Sequence, residues 1–488
     1  MKKSFLAMTV FLFLLSFAAC SAATTMTPAA PTDLAIADNV LTFDAVSGAT
    51  AYQLSVEDAE GDVTVYGVDS GTDLTSILDY GLYTVRIRAL FDSGEVLSAY
   101  GDPVDVVLVD PDAPALLEEE AMNDLRYVSW IGRTRYDDLD KTHYMYYTAS
   151  GFEVGFYGTE LTAVFTAQNV ADLAKRPYLV ILVDGEENPY VGRHVQISAA
   201  TQTVTLVHGL PEGYHTVKVL KRSEALDGDL GLRSLATDGR FAAPDERKDL
   251  RILYVGDSSM TGYGNLASSP GTGKTTSNSD GLLDFAYLSA YIHDAAFTIV
   301  ASSGWGVSRG WNTPGGAIDE IENMPSAFDH FAIDGTNKVR TDWGQYDTST
   351  FVPDVVVITL GTNDFNAPGY DSMSEADQAA LRERFVADYV AFLVHLDEVY
   401  PNVPIIVGYG IMADADRIGD SCTAVIAQAN ALLGDRVHGL LMPAAGTSHP
   451  FGSDYHPQAA THIEAADALA DLIATVTGHA RVRDNVSF

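Results

Sequence analysis

Ser258 lies in RILYVGDSSMTGYG, residues 251–264, directly behind an apolar run and a glycine. A serine hydroxyl is a weak nucleophile until a base takes its proton, so the chemistry depends on what accompanies it. His456 can be that base: it stands in FGSDYHPQ, two residues after Asp454 and just before Pro457. In extended chain, residues i and i+2 project to one side. The Asp454 carboxylate would then accept a bond from His456 Nδ1–H, leaving Nε2 free for the Ser258 hydroxyl. Asn363, in LGTNDFN after the run PDVVVIT, can aim a side-chain N–H at an oxyanion. Each residue also has a plainer reading: Asp257 or Ser258 as a helix cap, Asn363 as a turn residue, His456 as a cap or surface histidine, Asp454 as an acid at a helix N-terminus.

The elements around these residues decide between the readings. Ile252 to Val255 is an apolar run between polar flanks, which predicts a buried strand, with Gly256 allowing the turn that holds Ser258 at the carboxyl edge of a sheet. Open α/β sheets bind ligands at that edge, and a helix starting there would offer N–H groups and a positive dipole end. From Lys248 onward LRILYVG, AFTIVASSG, PDVVVITLG, VPIIVGYG and VHGLLMP alternate with helix-like stretches, which predicts a parallel sheet with helices on both faces over 248–480. Leu381, Phe385, Tyr389, Phe392 and Leu396 fall at helical spacing, so these aromatics belong to a core. Pro457 suits the first turn of a C-terminal amphipathic helix.

Upstream the grammar is different. NVLTFDAV, AYQLSVED, LYTVRIRAL and PVDVVLVD are short strands separated by Gly, Asp and Ser, which predicts an all-β sandwich over 31–112. A second β-rich block over 113–247, with YYTASGFEVGFYG, YLVILVDG and GYHTVKVLKRSE, predicts another sandwich of jelly-roll type. The first 25 residues run from Lys2 and Lys3 through an apolar core to Ala18-Ala19-Cys20, the order of an export signal. Residues 1–19 are expected to be the signal and 20–30 a tether. The 488 residues carry a net charge of −37, which opposes binding to nucleic acid or to anionic membranes.

Several chemistries are disfavoured. Met260 stands where a Gly-x-Ser-x-Gly elbow needs its second glycine. SSPGTGKTT contains Gly273-Lys274-Thr275 of a phosphate loop, but Ser268 replaces its first glycine and no strand–loop–helix context surrounds it. The histidines show no ligand spacing, so no metal is expected, and acyl transfer from a serine to water needs no cofactor.

Taken together, Gly256-Asp257-Ser258, a glycine in ASSGWGVSRG, Gly361-Thr362-Asn363-Asp364 and Asp454-Tyr455-His456-Pro457 resemble the blocks of the SGNH, or GDSL-like, hydrolases. That resemblance implies Ser258 as nucleophile, His456 as base, Asp454 as its partner, and an oxyanion hole from the N–H groups of Ser258, Asn363 and either Gly304 or Gly306, with Gly306 favoured by its distance from FTIVA. Most SGNH hydrolases separate Asp and His by two residues. The tighter spacing here, with WIGRTRYD, SGFEVGFYGTELTAVF and PEGYHTVKVLKRSEA upstream, resembles carbohydrate esterase family 2. The block 31–112 resembles a fibronectin type III domain and carries no nucleophile, base or metal cluster. The N-terminus resembles a bacterial lipoprotein signal, which implies a lipid anchor on Cys20 and a place in the cell envelope, or secretion if Cys20 is unmodified. The family resemblance implies removal of O-acetyl groups from polysaccharides of the acetylxylan or acetyl-glucomannan type, at the 6-position of hexose units. By position, Trp305 beside the glycines of ASSGWGVSRG, Trp311, and Trp343 before the third strand are sugar-stacking candidates, each with core packing as its plainer reading. The alternatives are an SGNH lipase or thioesterase on other acyl esters, and a non-catalytic carbohydrate-binding protein on a hydrolase scaffold.

Overall fold

The computed structural model describes residues 28–487 except 38, 59–60, 93–95, 245–247 and 314–322; the expectations for the export signal and Cys20 lie outside the described residues. The chain divides into two compact units, one of residues 28–78 and 83–106, the other of 79–82 and 107–487. No helix among the described residues is long and apolar enough to cross a membrane.

The predicted runs of the first β-rich block become the strands Val40–Asp44, Ala51–Glu57, Gly81–Phe91 and Val104–Leu108, joined by Thr32–Ala37, Val63–Val68 and Val96–Leu97. Alternation places Leu41 and Phe43, Leu54 and Val56, and Val85, Ile87 and Ala89 in the core.

The second unit holds both the second β-rich block and the α/β domain. Among the described residues of the β-block, ten antiparallel strands form one continuous hydrogen-bonded sheet. Continuity comes from two long strands, Gly151–Ala167 and Thr201–Lys221, which pair with each other on both sides of a register shift at Gly158/Glu160. Before the shift, the first also pairs with Val128–Ile131 and Arg240–Ala242; after it, with Leu230–Thr237. The sheet thereby folds around one core that includes Phe152, Phe156, Phe165 and Phe241.

The α/β domain has five parallel strands in the order Ala296–Ala301, Arg251–Gly256, Val355–Thr359, Ile405–Tyr409, Val437–Leu441. The apolar runs are continuous because both faces are covered. Leu253, Val255, Val356 and Ile358 pack in a core with Phe385, Tyr389 and Leu396 of the helix Glu375–Val399. Ile252, Tyr254, Val355 and Val357 pack on the other face with helices Phe285–His293 and Ala459–Thr477. The aromatics at helical spacing are therefore core, as expected.

Candidate active site

The strand order reverses at Arg251–Gly256, which lies between strands that follow it in sequence on both sides. The segments leaving the carboxyl ends of these three neighbours carry Ser258, Gly304 and Asn363, so they converge at a topological switch point, where open α/β sheets bind ligands. No full helix starts at Ser258. Asp257 caps a three-residue 3₁₀ turn, Ser258–Met260, through the Ser259 N–H at 2.9 Å, so the expected helix dipole is absent and individual N–H groups remain.

Ser258 Oγ lies 2.8 Å from His456 Nε2. Behind the imidazole, Nδ1 faces the carbonyl oxygens of Ser453 and Asp454, both at 3.2 Å. An Nδ1–H donating to those carbonyls leaves Nε2 as the acceptor for the serine proton. The Asp454 carboxylate does not take the place expected of it: it accepts the Tyr263 hydroxyl at 3.0 Å instead. The i,i+2 argument presumed extended chain, whereas Asp454 and Tyr455 both have left-handed backbone, φ 49° and 64°, which swings the carboxylate off the histidine. The pair is a Ser–His dyad oriented by backbone carbonyls. Burial pushes the imidazole below its ordinary range, opposed by the two carbonyls and the Glu224 and Asp454 carboxylates, so His456 is neutral near pH 7.

Asn363 reaches the same edge on the short helix Thr362–Asn366, with its amide donating to the Trp305 carbonyl at 2.8 Å and to Asp257 Oδ2 at 3.1 Å. The first bond corrects the expectation for Gly306. In a planar trans peptide the N–H points opposite the carbonyl, so with Trp305 C=O turned toward Asn363, the Gly306 N–H points away from it. Gly306 has a packing role: an added Cβ would lie 2.4 Å from the Asp364 carboxylate, which accepts the N–H groups of Val307, Ser308 and Arg309 and so holds this loop. Gly304 instead has open space at its Cβ, with Trp311 Cβ nearest at 3.7 Å. Burial, reinforced by the neighbouring Asp414 and Asp364 carboxyls, raises Asp257 to about 7 against the Ser259 N–H.

Two family models match this second unit: Carbohydrate esterase 2 N-terminal over residues 130–244 and GDSL-like Lipase/Acylhydrolase over 252–474. The structure of a family two carbohydrate esterase from Clostridium thermocellum in complex with cellohexaose superposes with a TM-score of 0.61 at 25% identity, covering 72% of this chain and 99% of that one. Residues 130–474 thus resemble carbohydrate esterase family 2 in both domains, by sequence and by fold. Among curated relatives, the cellulase/esterase CelE of Acetivibrio thermocellus is 28% identical over 339 residues, 68% of this chain and 37% of that protein. An acetylxylan esterase / glucomannan deacetylase of Cellvibrio japonicus is 25% identical over 345 residues, 70% of this chain and 87% of that protein. This chain thus spans little more than a third of the first relative and most of the second. The site has the groups of a carboxylic ester hydrolase, a serine hydroxyl and a neutral imidazole in hydrogen-bond contact.

In this unit the tryptophans separate by burial. Trp305 is only 2% exposed, packs in the core and donates Nε1–H to Asn337 Oδ1 at 2.5 Å, so it offers no face to a sugar. Trp343 sits among Tyr144, Tyr146, Arg135 and Arg340, which occupy its surroundings with ring and guanidinium contacts. Trp311 is 45% exposed and donates its backbone N–H to the Gly304 carbonyl at 2.7 Å, beside the loop that approaches Ser258.

Two contributors escaped the sequence reading. Tyr263 stacks on His456 with ring centroids 4.1 Å apart and planes at 24°. Its signal was position: a lone aromatic between two glycines, just after Ser258. Glu224, from the β-block, accepts the Ser303 N–H at 3.1 Å and pairs with Lys274 at 3.1 Å. The lysine of the phosphate-loop lookalike is therefore a buried counter-ion, also bonded to Asp227, and the β-block reaches the residue preceding Gly304.

Proposed function

We propose that this chain is an esterase that removes O-acetyl groups from polysaccharides of the xylan or glucomannan type, the 6-position of hexose units included. The observation that carries the reading is the 2.8 Å contact between Ser258 Oγ and His456 Nε2 at the switch point of a family 2 fold. His456 takes the Ser258 proton as the serine oxygen attacks the acetyl carbonyl; the resulting imidazolium protonates the departing sugar oxygen, which leaves as the hydroxyl, and water, deprotonated by His456, then attacks the acetyl-serine to release acetate and return the proton to Ser258. The N–H groups of Ser258 and Gly304 receive the oxyanion, with Asn363 joining when its longer bond, to Asp257, gives way. The names of the relatives, an acetylxylan esterase / glucomannan deacetylase and a family two esterase bound to cellohexaose, support a polysaccharide substrate. Trp311 is the exposed aromatic face on which a sugar ring can stack. Export with a lipid anchor on Cys20 belongs to the same proposal and rests on the order of the N-terminal residues.

The test is acetate release from acetylated xylan and acetylated glucomannan, beside kcat/KM on acetyl, butyryl and octanoyl aryl esters, with Ser258→Ala as control. Polysaccharide deacetylation lost in Ser258→Ala is the expected result, with turnover reduced by several orders of magnitude, on the order of 10⁴ or more. Faster octanoyl hydrolysis without any polysaccharide deacetylation would replace the proposal with a lipase or thioesterase. Binding without turnover would replace it with a carbohydrate-binding scaffold.

A further inference from the structure

We propose that Tyr263 is a positioning residue for His456, and that Asp454 acts through it by anchoring the phenol whose ring covers the imidazole. The proposal rests on the reading of Ser258 and His456 as nucleophile and base. Three observations converge on it. The ring stack, with centroids 4.1 Å apart, covers one face of the imidazole. The Tyr263 hydroxyl donates to the Asp454 carboxylate at 3.0 Å, and burial together with that carboxylate keeps the phenol protonated. The loop bearing Tyr263 is joined to the loop bearing His456 at Gly264, whose carbonyl accepts the Ser453 N–H at 3.1 Å and whose own N–H donates to Ser279 Oγ at 2.9 Å.

The stack does more than hold orientation. Taking the serine proton turns His456 into a cation, and the face of an aromatic ring attracts a cation more than a neutral ring. An interaction that strengthens as the proton moves lowers the barrier and not only the ground state. The other charged or titratable groups around the imidazole are Glu224 and Asp454, which favour the cation, and Lys274, which pairs with Glu224 and stands 5.6 Å from the Tyr263 centroid. His462, on the following helix, is held neutral by burial, at about 3, beside Asp284. A change at Tyr263 to another uncharged residue leaves the charges of all four in place, and Tyr263→Phe, which frees the Asp454 carboxylate as Tyr263→Leu does but keeps the ring, separates the loss of the stack from the loss of that bond.

The experiment combines an NMR titration of the His456 imidazole, which needs no turnover, with kcat and KM on an aryl acetate. Tyr263→Leu is expected to lower the His456 titration midpoint by about half a pH unit and kcat by roughly tenfold, with KM little changed. Tyr263→Phe keeps the ring, so its midpoint should stay at the wild-type value while kcat falls by a smaller factor. Asp454→Asn still accepts the phenol and should retain kcat within about twofold. Asp454→Ala should match Tyr263→Phe, and the double variant should be no worse than either. A loss of about 10³-fold or more in Asp454→Asn would restore Asp454 as a direct triad member and overturn the proposal. An unchanged midpoint and kcat in folded Tyr263→Leu would overturn it as well. Should Tyr263→Leu fail to fold, the comparison of Asp454→Asn, Asp454→Ala and Tyr263→Phe decides. If the wild type hydrolyses no ester, the functional reading falls, while the titration still decides whether the stack tunes His456.

Discussion

Two carbonyl dipoles behind a histidine fix its tautomer as a carboxylate would, but they offer less to the cation that forms when it accepts a proton. For His456 this difference has a sign. Burial disfavours the imidazolium and pushes the imidazole below its ordinary value; the carbonyls of Asp454 and Ser453 and the more distant Glu224 carboxylate offset this only in part. The base works only when neutral, so activity is lost as pH falls through that lowered midpoint and is complete above it. The acid limb of kcat/KM on an aryl acetate is therefore expected below about 6.5, the ordinary histidine value. A limb above that value would mean that a carboxylate faces Nδ1 during catalysis, contrary to the 3.2 Å contacts with the carbonyls of Ser453 and Asp454.

At the level of elements, the site is an assembly of loops, and glycines set how closely those loops approach. Gly264 has φ +55°, and an added Cβ would stand 2.2 Å from Ser453 Cβ, on the loop that carries His456. Gly434, after the helix Ala415–Leu433, has φ +74° and nothing within 4 Å of the same position. Both alanine variants incur a positive-φ backbone cost of roughly 1–3 kcal/mol, but only Gly264→Ala must also displace the loop that carries His456. Gly264→Ala should therefore lose at least about tenfold in kcat, whereas Gly434→Ala keeps wild-type kcat although its backbone cost lowers stability. Equal kcat in the two would show that the Gly264–Ser453 junction does not set the dyad. The same contrast explains what the sequence disclosed. Strands such as Ile252–Val255 and the core aromatics of Glu375–Val399 follow from apolar runs and helical spacing, which are properties of the local chain. Ser258, Asn363 and His456 were legible because each follows a recognisable strand or precedes a recognisable helix. The Asp454 carboxylate was misplaced because two consecutive left-handed residues leave no trace in spacing, and Gly306 was preferred over Gly304 because distance from a strand says nothing about which way a peptide plane turns. Tyr263 and Glu224 were missed because each acts through a neighbour distant in sequence.

Across the second unit, the β-block and the α/β domain are bound by buried charge as well as by apolar contact. Glu187, on the β-block, lies 2.9 Å from Lys218 of the same block, 2.8 Å from Lys248 at the start of the α/β domain, and 2.5 Å from Arg483 near the C-terminus. Burial alone would raise this carboxyl; Lys218 and Lys248 outweigh it and hold Glu187 well below the usual carboxylate range. A group whose folded value is depressed contributes stability that is present above its unfolded value, about 4.3, and lost as pH falls below it. Removing the carboxylate leaves three cations that face one another with too few acids between them: Glu153 at 3.1 Å from Lys218, and Asp294 beside Lys248 and Arg483. Breaking a buried ion pair by deleting one partner costs about 3–5 kcal/mol, because the remaining charge stays buried. Glu187→Ala should accordingly destabilise residues 107–487 by about that amount at pH 7, and by progressively less below about pH 4, where wild-type Glu187 itself begins to lose its advantage. Because the cluster joins the two domains, calorimetry should find one unfolding transition in the wild-type unit and a broadened or divided one in the variant. A single, unshifted transition in Glu187→Ala would show that the apolar junction alone makes the two domains unfold together.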